Sequence, residues 1–334
     1  MHFASMFLVA STAVLAVAAP ATEKKKRALK KFKFFGVNES GAEFGNTAIP
    51  GQLGKDYTWP LTSTIDTLVG QGLNIFRVPI MMERIVPTSM TGTTNATYQD
   101  PLITYINYIT GKGAYAIVDP HNFGRYYANI ITDYAGFKTF WTTLAGIFQS
   151  NANVIFDCNN EPHDEGSASV PDLMQACIDG VRAAGATSQY IFVEGTSYSG
   201  AWTWVSAGNG NLASLTDPQN KIVYEMHQYL DSDGSGTSAD CVSTTIGSER
   251  LAAATAWLKT NNKTGIIGEF AGGANDQCNS AVTDMMTYMT NNTDVWLGAL
   301  WWGGGPWWGD YIYSMEPPSG TSYTDTLPLI LNIV

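Results

Sequence analysis

Eight short apolar runs, each closed by a polar or glycine-containing patch, recur along this 334-residue chain and constrain its fold more than any other feature. They occupy residues 32–37, 74–80, 114–119, 154–157, 190–194, 222–226, 265–268 and 296–300. Runs rich in Val, Ile and Phe with little alternation predict strands buried on both faces, as in a parallel sheet covered by helices. Amphipathic segments at 61–69, 102–109, 137–149, 172–184, 248–259 and 281–291 separate them. The fifth connection is weak, and there a stretch near 211–215 has to serve as the helix. Eight strand–helix units in about 300 residues predict the α/β class and a closed (β/α)8 TIM barrel, with an open doubly wound sheet as the alternative. No linker or second domain is discernible, so one barrel is expected over residues 28–334.

In such a barrel the reactive side chains gather at the C-terminal ends of the strands. Arg77 closes the second run, His121 follows the third, Asn160 and Glu161 the fourth, His227 and Tyr229 the sixth, Glu269 the seventh, and Trp301 and Trp302 the eighth. His163 also lies just past a run, and for it a hydrogen bond to loop backbone is as good a reading as a role in chemistry. Glu161 and Glu269, 108 residues apart in sequence, would face one bowl. Paired carboxylates suit glycosidic bonds, because one must be protonated to assist the leaving oxygen while the other is ionised to attack or to activate water. Arg77 and the phenol of Tyr229 are expected to stabilise an ionised Glu269, with Glu161 on a more enclosed side keeping its proton. Asp119, Asp157, Glu194 and Glu225 read first as loop caps or bridges within the barrel, and Glu39 and Glu43 as residues within reach of substrate.

Tryptophans 301, 302, 307 and 308 crowd a glycine-rich stretch after the eighth run. Trp301 fits a core position, whereas a tryptophan on an exposed glycine-rich loop implies something that stacks on it, such as the C–H face of a sugar ring. Tyr198, Trp202 and Trp204 would make a second platform.

Composition narrows the partner. The chain carries a formal charge of −11, which excludes the positive surface that nucleic acid or an anionic membrane requires. Residues 1–19 read as a secretory signal peptide, an apolar run ending in small residues and too short to span a bilayer. Residues 20–27 are basic, either a propeptide cut after Arg27 or a solvated tail. Cys241 and Cys278 lie in loop-like sequence and are paired here, while Cys158 and Cys177 lie in strand-like and helix-like sequence, where a buried free thiol is the commoner state. Asn38, Asn95, Asn262 and Asn291 carry the N-glycosylation pattern, and Asn38 is doubtful because it ends the first run beside the cleft. No His-Glu-x-x-His run, Gly-x-Ser-x-Gly elbow or Gly-x-Gly-x-x-Gly loop is present, so zinc hydrolase, serine hydrolase and dinucleotide-binding readings rank low.

Asn159-Asn160-Glu161-Pro162-His163-Asp164 resembles the acid/base signature of glycoside hydrolase family 5. Phe76-Arg77-Val78-Pro79, His121-Asn122, His227-Gln228-Tyr229, Ile267-Gly268-Glu269-Phe270 and Trp301-Trp302 follow in that family's order. Residues 38–45 and 305–311 are similar to the fungal endo-β-1,4-glucanases of the family. The resemblance implies retention of configuration, with Glu161 as acid/base and Glu269 as nucleophile. It places Asn160 on the 2-hydroxyl, Arg77, His121, His227 and Tyr229 around the glutamates, and Trp302 under the reacting ring. It implies no metal or organic cofactor, a β-glucan polysaccharide as partner, and a monomer. A β-mannanase uses the same glutamates, and a binding protein that has lost catalysis is the alternative of another class. Tyr198 lies where close relatives often carry tryptophan, which implies a smaller platform there.

Overall fold

The computed structural model describes Met1 and residues 31–334, so the expected signal segment 1–19 and basic segment 20–27 lie outside the described residues. All eight runs are strands: β1 Phe34–Glu39, β2 Ile75–Ile80, β3 Tyr115–Pro120, β4 Val154–Asp157, β5 Ile191–Val193, β6 Ile222–Tyr229, β7 Gly265–Ala271 and β8 Trp296–Gly304. Neighbours pair in parallel and in chain order, and β8 returns to β1, with Gly36 registered against both Ile75 and Leu300. That closure decides between the barrel and the open sheet.

Helices α1 Thr62–Gln71, α2 Ala96–Gly111, α3 Tyr134–Phe148, α4 Val170–Ala183, α5 Ile246–Thr260 and α6 Asp276–Thr290 form the outer layer. Asn95, Asp133 and Asn275 cap α2, α3 and α6 by accepting backbone N–H groups of Thr97, Gly136 and Cys278, donors that the helix itself leaves unpaired. The weak fifth connection is a 3-10 helix, Asn209–Ser214. A two-strand hairpin of Arg125–Tyr126 with Asn129–Ile130, in the loop after β3, had no signal in the sequence pattern.

One apolar residue from each strand fills the barrel interior: Phe34, Ile75, Ile117, Ile155, Phe192, Val223, Ile266 and Leu300. Their neighbours in sequence point outward to the helices, where Phe35, Phe76, Val118, Phe156 and Ile267 join the larger core with Trp141 and Trp204. Burial on both faces is why the runs show no alternation. Two residues further along from each of these the interior changes character, to Gly36, Arg77, Asp119, Asp157, Glu194, Glu225, Gly268 and Trp302. The apolar ring thus forms the floor of the bowl and the polar layer its lining.

Cys241 and Cys278 are bonded as expected. Cys158 and Cys177 correct the sequence reading: they form a second disulfide, with Cα atoms 5.7 Å apart, joining the end of β4 to α4. Strand-like and helix-like contexts hid a pair that the strand-to-helix packing brings together. Among the described residues no helix is long and apolar enough to cross a membrane.

Candidate active site

The polar layer centres on Arg77, which is fully buried. Its guanidinium nitrogens lie 2.8 Å from Asp157, 2.8 Å from Glu269, 3.1 Å from Asp119, 3.2 Å from Glu194 and 3.3 Å from Glu225. They also donate to Asn38 Oδ1 at 3.1 Å and to Asn160 Oδ1 at 2.8 Å. A buried cation needs such partners to offset its lost hydration. Five carboxylates on one cation would leave excess negative charge, and burial settles it by pushing Asp157 and Glu194 well above the usual carboxylate range. Gly268 makes room for this packing, since a Cβ there would lie 1.6 Å from Glu225 Oε1.

Glu269, in the middle of β7, is bonded through Oε1 to Arg77 at 2.8 Å and through Oε2 to the phenol of Tyr229 at 2.7 Å. Burial and the charge of Glu269 push Tyr229 far up, so its O–H remains a donor. Glu161 stands just beyond β4 in a left-handed conformation, φ 45°, and its backbone N–H donates to Glu194 Oε2 at 2.8 Å. The side chain of Glu161 is 16% exposed against 5% for Glu269, so the expectation that Glu161 is the more enclosed of the two is overturned. A residue on a strand-end turn reaches the mouth of the bowl; one inside a strand cannot.

His227 bridges the two glutamates, with Nδ1 2.6 Å from Glu161 Oε1 and 3.6 Å from Glu269 Oε2. Burial opposes its protonation, but the charges of Glu269 and Glu194, the hydrogen bond with Glu161 and the Glu225 carboxylate 3.7 Å from Nε2 outweigh it and hold the imidazole well above its usual range. His121 is oriented by Asp119, 2.8 Å from Nδ1, and stacks on Trp302 with ring centroids 5.3 Å apart. Its value is also raised, the charge and hydrogen bond of Asp119 exceeding the effect of burial. Asn160 Nδ2 has no partner among the described residues and is free for a ligand hydroxyl.

One oxygen each of Glu161 and Glu269 and one nitrogen of His227 lie within 4.8 Å of one another. The same holds for Glu194, Glu225 and His227. Either set has the spacing to hold a metal ion, yet in the first set His227 already bonds Glu161, while Arg77 and Tyr229 bond Glu269.

A cavity of about 510 Å³ opens beside Glu161, His227 and Tyr229 and is walled by Tyr198 and Trp202, which are 52% and 49% exposed. Tyr198 stacks on His163, whose Nδ1 bonds Glu161 O at 3.0 Å, so His163 supports the loop backbone. Trp204 and Trp301 are core residues instead. Glu39 is fully buried and Glu43 nearly so, which removes Glu39 from any substrate surface. Asn38 is fully buried, donating to Gly268 O and Trp301 O, and is closed to glycosylation, whereas Asn262 and Asn291 are exposed and Asn95 is half-buried.

Sequence reasoning missed Glu194 as the residue that fixes Glu161, and Asn38 as the strut between Arg77 and β8. A period-two count from the apolar ring would have placed Glu194 in the lining.

Glycosidic cleavage is the chemistry that two facing carboxylates in an aromatic-walled bowl perform, and the class defined is that of the barrel glycoside hydrolases. The cellulase family, glycosyl hydrolase family 5, matches residues 37–305, and the chain belongs to it. It is 62% identical over 330 residues to a probable endo-β-1,4-glucanase B of Neosartorya fischeri, covering 99% of this chain and 98% of that one. It is 57% identical over 330 residues to endo-β-1,4-glucanase B of Aspergillus niger, covering 99% of each. Among solved structures, XacCel5A in complex with cellopentaose is similar with a TM-score of 0.87 at 35% identity, covering 91% of this chain and 99% of that chain.

Proposed function

We propose that the chain is a secreted endo-β-1,4-glucanase that cleaves internal β-1,4-glucosidic bonds with retention, Glu161 acting as acid/base and Glu269 as nucleophile. The observation that carries the reading is the separation of the two glutamates, with carboxylate oxygens within 4.8 Å. Retaining pairs stand about 5–5.5 Å apart, while inverting pairs need about 6.5–9.5 Å to admit a water between them. Full-length relatives named endo-β-1,4-glucanases and a similar structure holding cellopentaose support the polymer.

In the first step Glu161 gives its proton to the glycosidic oxygen as the Glu269 carboxylate bonds the anomeric carbon and the leaving sugar departs. Arg77 and Tyr229 hold Glu269 aimed until then. Asn160 Nδ2 meets the 2-hydroxyl, and Trp302, fixed by His121, lies under the reacting ring. Glu161, now ionised, takes a proton from water, whose oxygen bonds the anomeric carbon and frees Glu269. The aromatic-walled cavity on the Glu161 side receives the leaving part of the polymer through Tyr198 and Trp202.

Two disulfides and the N-terminal sequence support an extracellular protein, with 1–19 as signal and 20–27 as a basic segment ahead of the barrel. Asn95, Asn262 and Asn291 are the glycan acceptors of that reading. Release of reducing ends from soluble β-1,4-glucan, compared with β-mannan, tests the function. Glucan cleavage that falls by about 10⁴-fold or more in Glu269→Gln is the expected result. Mannan cleavage alone would overturn the substrate, and no cleavage of either would leave a binding protein.

A further inference from the structure

Trp202 is half exposed on the wall of the cavity, a placement in which a large indole would ordinarily sample several rotamers. Two contacts restrain it. Its backbone N–H donates to Gln228 Oε1 at 2.8 Å, and the guanidinium of Arg250 lies 4.4 Å from the centre of its ring. Arg250 projects from α5 and is 2% exposed, so it approaches the indole from the protein side and leaves the other face to the cavity.

The same guanidinium reaches the catalytic bowl. Arg250 Nη1 donates to the carbonyl oxygen of Tyr229 at 2.6 Å, and Gln228 Nε2 donates to that oxygen at 2.8 Å. Arg250 Nη2 donates to Ser232 O at 3.2 Å, holding the start of the loop that leaves β6. Tyr229 is the residue whose phenol holds Glu269. Platform and nucleophile holder therefore meet on one guanidinium, which lies over the indole of Trp202 while forking its hydrogen bonds to Tyr229 O and Ser232 O, a combination an ammonium cannot reproduce.

We infer that Arg250 is a positioning residue for the leaving-group side of the cleft, holding the Trp202 indole as a pre-ordered stacking surface in register with Tyr229. The inference rests on the functional reading above and adds to it a residue outside the cavity lining. Ordering the platform before substrate arrives lowers the cost of binding, so loss of Arg250 acts on KM through Trp202.

The test is a double-mutant cycle on cellopentaose with Arg250→Met, Trp202→Ala and the pair, read as KM and kcat separately. Arg250→Met raises KM about fivefold in the wild-type background, the size of one cation–π contact, and adds nothing in the Trp202→Ala background. Full additivity, or a fall in kcat with KM unmoved, overturns the inference. Should the Met variant not fold, Arg250→Lys enters the same cycle, with a smaller KM rise that must also vanish without Trp202. A second readout is independent of activity. The indole N–H resonance of Trp202, assigned with Trp202→Phe, is expected to be one sharp line in the wild type and to broaden or split in Arg250→Met. An unchanged line overturns the positioning role, whereas failure of the wild type to cleave cellopentaose, with the line behaving as stated, strikes only the functional reading.

Discussion

His227 gathers four carboxylates around one imidazole: Glu161 at 2.6 Å, Glu269 at 3.6 Å, and Glu194 and Glu225 at 3.7 Å. Only Glu225, two residues away in sequence, is near it in the unfolded chain; folding brings up the other three, so its folded value is raised above the unfolded one, which lies at about 6.5. The stabilisation this provides is fully present below the unfolded value and is lost as pH rises through the folded one. Asp157 and Glu194, held up by burial, act in the same direction, because the folded chain binds protons that the unfolded chain has released. The unfolding free energy of wild type minus that of His227→Gln, from urea titrations across pH, should therefore shrink on going from acid to alkaline solution. A difference that stays constant or grows would show that His227 is not held protonated by its neighbours.

At the scale of the element, the strands were legible because each is buried on two faces, and all eight runs sit where the barrel needs them. Their ends were less so. Strand β6 runs on to Tyr229 and β8 to Gly304, beyond the runs that end at 226 and 300, because the backbone ladder continues through the residues that line the bowl. The same fact explains why Asp119, Asp157, Glu194 and Glu225 left caps and bridges both open: each is an isolated polar residue in or at the end of an apolar run, and closure of the sheet, which turns them toward Arg77, makes them bridges. Cys158 and Cys177 were misread for a related reason, since 19 residues of sequence separate partners that β4 and α4 bring into contact. Closing a loop of that length restricts the unfolded chain, so Cys158→Ala with Cys177→Ala should lower stability by about 3 kcal/mol in a urea titration. No loss would mean the bridge contributes nothing that the surrounding packing does not already give.

Across the whole molecule, the apolar ring rigidly spaces eight strand ends, and the chemistry follows from which residues those ends carry. Residues at strand ends, Arg77, His121, Asn160, Glu161, His227, Tyr229, Glu269 and Trp302, were all readable from the sequence, because a barrel converts strand order into a circle. What the sequence could not carry is depth. Glu161 lies at the mouth and Glu269 inside, and that difference comes from a left-handed turn after β4 that no composition signals. Separation bears on the stereochemical outcome, since glutamate oxygens within 4.8 Å of each other favour direct attack by Glu269 over activation of a water, as proposed above. The most direct measurement is the anomeric configuration of the first product, followed by proton NMR during cleavage of a soluble β-1,4-glucan oligosaccharide before mutarotation. Retention requires the β anomer at the earliest times, with the α anomer growing in only as the product equilibrates. Initial release of the α anomer would contradict it and assign Glu269 to activating water.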